Sequence, residues 1–136
     1  MTLIFSESFE TDGNGSRYFT SLPEFSDGGT DFFLRTDGSN ISASYQVTDA
    51  DGSFLFAAQD IDGEGAPSMQ TLLFSGIDIA GFINLTFSAL LAEEDATDGE
   101  EDWDDTDFLL VEYQIDGGGF QPVLAIAEID DGDSFN

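Results

Sequence analysis

Ile83–Leu91 reads INLTFSALL, a run in which every second residue, from Ile83 onward, is apolar. Side chains of a β-strand point alternately to opposite faces, so this spacing predicts a strand with one buried face. Asp107–Ile115 (DFLLVEYQI) shows the same alternation from Leu109 onward. No part of the chain sustains the 3.6-residue period of an amphipathic helix. The sequence therefore predicts an all-β protein.

Further short runs of this kind are separated by turns rich in Gly and Asp. They are Leu3–Phe9, Arg17–Ser21, Phe32–Arg35, Ser42–Val47, Ser53–Ala58, Gln70–Ser75 and Phe120–Ala127. About nine short strands joined by turns predict an antiparallel β-sandwich of jelly-roll type. The Asp116-Gly117-Gly118-Gly119 run predicts a tight hairpin turn, because Gly accepts positive φ. Pro122 predicts an edge position for the last strand, because proline donates no ladder hydrogen bond.

The length of 136 residues fits a single domain. We expect one β-sandwich domain over residues 1–136. The final stretch, Asp130–Asn136, resembles a loop that leads to a further strand, so we expect a fragment of a longer multidomain protein, incomplete at its C-terminus. The first ten residues lack the basic region and long apolar core of a signal peptide.

Charge narrows the possible partners. The chain carries 29 acidic residues against two Arg and no Lys or His, for a net charge of −27. Such a field repels nucleic acid and anionic membrane surfaces, so we expect neither nucleic-acid binding nor membrane insertion. The absence of Cys and His removes thiol and imidazole catalysis and the usual zinc ligands. Carboxylates in such excess do not indicate a glycosidase pair, and we expect no enzyme activity.

The densest charge lies in Glu93–Asp107 (EEDATDGEEDWDDTD), where ten of fifteen residues are carboxylates. Oxygen ligands in this density suit Ca²⁺, which takes six to eight of them. The alternative is a solvated acidic loop, which runs of like charge usually form. The candidate ligands in this loop are Glu93, Asp95, Asp102, Asp104 and Asp107.

A second acidic turn, Asp60-Ile61-Asp62-Gly63-Glu64, follows the predicted strand Ser53–Ala58. Two Asp at alternate positions can wrap one ion, as at the start of an EF-hand loop, although the rest of that motif is absent here. Asp60 and Asp62 are therefore candidate ligands, and they would join the larger loop if both lie at one end of the sandwich. At Asp37-Gly38 and Asp51-Gly52 we interpret the same dipeptide as a simple turn.

Glu7 shares a predicted strand face with Leu3, Phe5 and Phe9. A carboxylate that points toward a core needs a cation, an arginine or a proton, and Arg35 is the arginine that we expect. A bound metal ion is the second possibility, and emergence of the strand into solvent at Glu7 is the third. Trp103, inside the acidic loop, suits either a plug over the core or a platform for a sugar ring, which makes it a candidate ligand-binding residue.

Three segments resemble secreted bacterial jelly-roll modules, which are related in layout to MAM, laminin-G-like and carbohydrate-binding sandwiches. The segments are Phe5–Glu10 with Asp12–Gly15, Leu72–Leu85 (LLFSGIDIAGFINL) and Asp107–Phe120 (DFLLVEYQIDGGGF). The resemblance implies a calcium-stabilised accessory module of a large exported protein. It also implies that Glu10, before the Asp12-Gly13 turn, is a calcium ligand. Members of that family continue into strands with an Asp-Asn pair that this chain lacks.

Together these features predict a non-catalytic, calcium-binding accessory or adhesion module, extracellular or on the cell surface. Its partners would be calcium ions, and glycans or neighbouring domains of the same protein. One alternative is a carbohydrate-binding module with a structural calcium ion. The other is an acidic halophilic domain without a specific ion site.

Overall fold

The structure, a computed structural model, describes residues 2–42, 50–62, 65–92 and 107–127. These residues form β-strands, turns and irregular segments without an α-helix. The strands are β1 (Phe19–Thr20), β2 (Phe25–Ser26), β3 (Phe32–Thr36), β4 (Leu55–Gln59), β5 (Leu72–Leu73), β6 (Phe108–Tyr113) and β7 (Gln121–Ala127). Within the described part of the chain, no helix is long and apolar enough to cross a membrane. The all-β class predicted from the sequence is thus confirmed.

The chain folds as two compact units, Met1–Leu90 and Leu91–Asn136. In the first unit, β2, β3 and β4 form an antiparallel sheet with β3 at its centre. Strand β3 (FFLRT) is buried on both faces at its apolar positions, which suits a central strand. Phe32, Leu34 and Ile41 pack together with Ala57 as the apolar core of this sheet.

A second group of side chains in this unit is aromatic. Tyr18 is fully buried, and its ring lies 5.4 Å from that of Phe9 and 5.9 Å from that of Phe56. Phe33 packs edge-on against Phe56 at 4.8 Å, and Phe9 also contacts Phe74 at 6.4 Å. These tilted and edge-to-face contacts are the favoured geometry of aromatic pairs. They join residues 3–10, which we call the N-terminal segment, to β4 and to the chain just after β5. β5 pairs with β1.

The second unit contains the hairpin of β6 and β7. Asp116 (φ 51°) and Gly117 (φ 71°) occupy its turn, and the N–H of Gly118 donates to the carbonyl of Ile115 at 2.9 Å. Two consecutive positive φ values are compatible with a type I′ turn. β6 pairs antiparallel with β7, so the predicted hairpin is confirmed. Pro122 is the pairing partner of Glu112, and the ladder has a bulge between Val111 and Glu112. Among the described strands, β7 pairs with β6 alone, as an edge strand would.

Six predicted strands coincide with observed ones, although β1 and β5 are shorter than predicted. β2 was not predicted, because its two residues are too few to show a period. Most of Ser42–Val47 lies outside the described residues. The observed sheets are antiparallel, as predicted, in sets of two, three and two strands.

The prediction of a strand at Ile83–Leu91 is wrong. The segment belongs to no ladder, and all its residues are exposed. Alternation shows where side chains would point in a sheet but supplies no neighbouring strand to pair with. Asn84 also adopts a φ of 57°, which interrupts the extended backbone.

The predicted first strand, Leu3–Phe9, is likewise outside any ladder. Its predicted face is nevertheless present, because Phe5, Glu7 and Phe9 are half-buried while the residues between them are exposed. Leu3 departs from this pattern and is 76% exposed. Aromatic contacts, such as Phe5 with Phe74 at 5.8 Å, hold the segment instead of backbone pairing.

Candidate functional site

Glu7 is held by arginine, as one of the predictions required, but the arginine is Arg17 and not the expected Arg35. Arg17 Nε lies 2.6 Å from Glu7 Oε2, and the Glu7 side chain is only 5% exposed. Glu7 Oε1 accepts the N–H groups of Ser8 at 3.0 Å and Phe9 at 2.7 Å. The alternative that Glu7 emerges into solvent is therefore wrong. Both carboxylate oxygens already have protein partners.

Glu10, an implied calcium ligand, has partners that are backbone amides. Its Oε1 atom accepts the N–H groups of Ser53 at 2.7 Å and Phe54 at 2.8 Å. These hydrogen bonds, first from Phe54 and then from Ser53, lower the pKa of the Glu10 carboxyl, and the charge of Arg35 acts in the same direction. Gly52 makes the approach possible, because a Cβ atom there would collide with Oε1 of Glu10. Glu10 thus joins the N-terminal segment to the chain before β4.

Arg35 completes this junction from β3. Its Nε donates to the carbonyl of Phe9, and its Nη2 donates to the carbonyl of Glu10 at 3.0 Å. The guanidinium carbon lies 3.6 Å from the centroid of the Phe54 ring, a close cation–π contact. Arg35 stabilises the backbone at Phe9, whose φ of 61° is unusual for a bulky residue.

Glu24 is a polar centre that the sequence did not reveal. Its Oε1 accepts Tyr18 OH at 3.0 Å and Asn14 Nδ2 at 2.7 Å, and its Oε2 accepts the N–H of Arg35 at 3.1 Å. Burial, and then the hydrogen bond to Glu24, raise the pKa of Tyr18. The turn that contains Asn14 and Tyr18, the residue before β2 and strand β3 meet at this carboxylate, which makes its role structural. No local sequence pattern indicates that Asn14, Tyr18 and Arg35 meet at Glu24, so the sequence offered no signal for this centre.

Asp31, Asp60 and Asp62 come together at one end of the β3–β4 pair, and we call this group the acidic end. Phe32 pairs with Gln59, so Asp31, just before β3, and Asp60, just after β4, lie opposite each other. Asp60 has a φ of 42°, and its carboxyl lies close enough to those of Asp31 and Asp62 for both to raise its pKa. The structure thus brings together the predicted Asp60 and Asp62, with Asp31 added.

The surroundings of Asp60 in the acidic end disfavour the ionised form of its carboxyl. Partial burial raises the pKa of the Asp60 carboxyl, the negative charge of Asp31 raises it further, and the contact with Asp62 adds to both. A carboxyl among carboxyls needs a proton or a cation. Asp31 was missed from the sequence, although its position just before Phe32–Arg35 mirrors that of Asp60 just after Ser53–Ala58.

The remaining predicted residues fall in or beside the acidic loop. Glu93, Asp95, Asp102, Trp103 and Asp104 lie outside the described residues. Asp107 is exposed and directly precedes β6. The predicted grouping of Asp60 and Asp62 with this loop stays a prediction.

Within residues 2–42, 50–62, 65–92 and 107–127, no three Asp or Glu side chains are arranged so that they could hold a metal ion. The acidic end therefore has the charge of a cation site without a closed ligand set. The chain matches no protein-family model, no curated protein and no solved structure.

Proposed function

We propose that the protein is a non-catalytic, calcium-binding β-sandwich module of jelly-roll type, which serves as an accessory or adhesion module of an exported bacterial protein. Calcium would neutralise the acidic loop and the acidic end. The role is structural: the ion orders loops that would otherwise repel one another, so that the module can join or present other domains outside the cell.

The balance of charge carries the proposal. The chain has only two cationic side chains, Arg17 and Arg35. Arg17 is paired with Glu7, and Arg35 donates to the carbonyls of Phe9 and Glu10. Both arginines are thus committed to the N-terminal segment. Asp60 has two carboxyls as neighbours and a raised pKa, so a cation that relieves it must come from solution.

Calcium is the cation that this chemistry favours. Carboxylate oxygens bind hard divalent ions, and the flexible coordination of Ca²⁺ accepts ligand sets that Mg²⁺ does not. An ion that binds only the folded chain stabilises it by roughly 3–4 kcal/mol at 100 to 1,000 times its dissociation constant. Closure of a full ligand set by calcium would require movements of Asp31, Asp60 and Asp62.

Titration calorimetry and thermal melts test the proposal. We expect saturable calcium uptake and a higher Tm in calcium than in EDTA at matched ionic strength, since specific coordination differs from screening. A chain that takes up no calcium saturably would refute it. A Tm that rises equally in sodium chloride would favour the halophilic alternative.

A matched pair of triple variants tests the acidic end. The first variant combines Asp31→Asn, Asp60→Asn and Asp62→Asn. The control combines Asp51→Asn, Glu112→Gln and Asp116→Asn and removes the same charge elsewhere. We expect the first to lose much of the calcium-induced rise in Tm and the control to keep it. Equal responses would show that calcium binds elsewhere.

The carbohydrate-binding alternative depends on exposed aromatic rings. Tyr18 is fully buried, whereas Tyr113 is 49% exposed on β6. Tyr45 and Trp103 lie outside the described residues. A glycan array with the calcium-loaded chain tests this alternative, and binding that is lost in Trp103→Ala would favour it.

A further inference from the structure

The N-terminal segment is attached to the rest of its unit by side chains. Residues 3–10 belong to no ladder, and within the described ranges none of them takes part in a backbone–backbone hydrogen bond. A segment of this kind can leave a protein without the loss of any ladder hydrogen bond. Its attachment therefore depends on a small number of side-chain contacts.

Charged side chains make most of the polar contacts. Arg17 forms the ion pair with Glu7, whose side chain is only 5% exposed. Arg35 donates to the carbonyls of Phe9 and Glu10, and the carboxylate of Glu10 accepts two backbone amides of the turn before β4. The chain has no other cationic side chain than these two arginines. Both of them hold the same eight residues in place.

The attached segment also carries an unusual backbone conformation. Phe9 adopts a φ of 61°, which a bulky residue keeps only where its surroundings impose it. Its ring packs against those of Tyr18, Phe56 and Phe74. Phe5 adds an edge-on contact with Phe74. Without the polar contacts, these rings alone would oppose the return of Phe9 to an ordinary φ.

Acid should act on this segment in the opposite sense from the rest of the chain. Elsewhere the acidic residues mainly repel one another, so protonation relieves repulsion. In the segment, Glu7 faces an arginine, and the hydrogen bonds from Phe54 and then Ser53 lower the pKa of Glu10. The apolar core of the β2–β3–β4 sheet contains no ionisable group. Acid should therefore weaken the attachment of the segment more than the sheet.

Few ionisable groups face the segment from the elements packed against it. In the described part of the chain they are Asp12, Arg17, Tyr18, Glu24, Arg35 and Asp51. Among these, Glu24 already accepts the hydroxyl of Tyr18 and the N–H of Arg35. Glu7 is the one ion-pair partner of Arg17 within the same ranges. Protonation of Glu7 thus leaves this arginine without a counter-charge.

We propose that the N-terminal segment is an acid-released strap, attached while Glu7 and Glu10 are ionised and detached when both are protonated. Protonated Glu7 no longer forms an ion pair with Arg17. Protonated Glu10 offers the two amides a neutral acceptor, which binds them more weakly than a carboxylate does. Release uncovers the rings against which Phe9 packs and leaves the β2–β3–β4 sheet folded. This device goes beyond the proposed function, because it needs no calcium.

The distance between two spin labels tests the proposal. The chain has no cysteine, so Ser8→Cys and Ser39→Cys place one label on the segment and one in the turn after β3, both at exposed positions. With the whole chain in EDTA, we expect a narrow distance distribution near pH 7 and one at least about twice as broad near pH 3. Circular dichroism should report the same β-sheet content at both pH values.

Two double variants of the labelled chain separate these contacts from general charge. Glu7→Gln with Glu10→Gln fixes both side chains in an uncharged form. Near pH 7, this variant should already show the broad distribution of the original chain near pH 3, and acid should change it little. Glu112→Gln with Asp116→Asn removes the same charge from the second unit. This control should keep both the narrow distribution near pH 7 and the response to acid.

Four results would overturn the proposal. A distribution that stays narrow near pH 3 would show that the segment does not leave, and a glutamine variant that stays narrow near pH 7 would show that other groups control its release. Loss of β-sheet signal together with the broadening would show that segment and sheet unfold as one unit. Broadening in the control near pH 7 would assign the attachment to net charge. Because EDTA is present throughout, failure of calcium binding alters none of these outcomes.

Discussion

Glu10 and Phe54 are joined by a hydrogen bond of 2.8 Å between the Glu10 Oε1 atom and the Phe54 N–H. The same oxygen also accepts the N–H of Ser53, and Arg35 donates to the Glu10 carbonyl. One residue thus connects the N-terminal segment, the turn before β4 and strand β3. The carboxylate position implied by family resemblance as a calcium ligand is used here for backbone recognition.

Substitution of Glu10 tests this role. We expect Glu10→Ala to lower Tm, because two amides lose their acceptor, and Glu10→Gln to lower it less, because the amide oxygen still accepts them. Thermal melts near pH 7 provide the measurement. The hydrogen bonds lower the pKa of Glu10 in the folded state, so its contribution is present above the ordinary value of 4.5 and is lost as pH falls. Equal loss in both variants would show that charge, not hydrogen bonding, matters.

The contact between Arg35 and Phe54 depends on the aromatic ring. We expect Phe54→Leu to lower the free energy of unfolding by about 1 kcal/mol, because the cation–π attraction disappears. Phe54→Tyr keeps the ring face and should stay within about 0.5 kcal/mol of the original chain. Urea denaturation measures both variants. A tyrosine variant as unstable as the leucine variant would contradict the assignment.

The hydroxyl of Tyr18 donates to Glu24 from a fully buried ring. We expect Tyr18→Phe to lower the free energy of unfolding by about 1–2 kcal/mol, since the half-buried carboxylate loses one of its donors. Tyr113→Phe is the control, because Tyr113 is 49% exposed, and it should change stability by less than about 0.5 kcal/mol. Denaturant unfolding compares the two variants, and similar losses would count against the Glu24 centre.

The ionisation of Tyr18 offers a spectroscopic prediction. Burial, followed by the hydrogen bond to Glu24, raises the pKa of Tyr18 above its ordinary value of 10.0. An absorbance titration should therefore show a tyrosine that ionises above that ordinary value, and Tyr18→Phe should remove this late step. A late step that persists in the variant would belong to another tyrosine.

The contribution of Asp60 to folding stability should depend on pH with the opposite sign from that of Glu10. Its pKa is raised in the folded state, mainly by burial and then by Asp31, so its ionisation opposes folding. The contribution of Asp60 to stability should be most favourable below the ordinary value of 3.8 and should be lost as pH rises through the raised pKa. Asp60→Asn should therefore stabilise the calcium-free chain near pH 7, and the gain should vanish near pH 3.

The gain from Asp60→Asn should not exceed about 0.5 kcal/mol, because solvent screens this exposed site. Asp116→Asn is a matched control: Asp116 and Asp60 have φ values of 51° and 42°, and asparagine tolerates both. Denaturant unfolding at several pH values measures the difference. A gain of the same size at Asp116 would show that backbone conformation, not charge, is responsible.

Local patterns in the sequence were sufficient for the hairpin of β6 and β7. Alternation in Asp107–Ile115 and the Asp116-Gly117 pair specify both strands and their turn, because the partners are neighbours in sequence. The same reasoning failed at Ile83–Leu91, where alternation was clear and no neighbouring strand was specified. A strand needs a partner, and a distant partner leaves no local signal.

The sequence by itself determined the all-β class, the charge and the scarcity of cations, since composition and period-two patterning are local properties. Tertiary structure decided which partner each carboxylate has. In the folded chain, Arg17 forms an ion pair with Glu7, and the carboxylate of Glu10 accepts hydrogen bonds from backbone amides. The register of β3 and β4 brings Asp31 beside Asp60. Those pairings join residues far apart along the chain, and only the packing of strands and aromatic rings sets the distances between them.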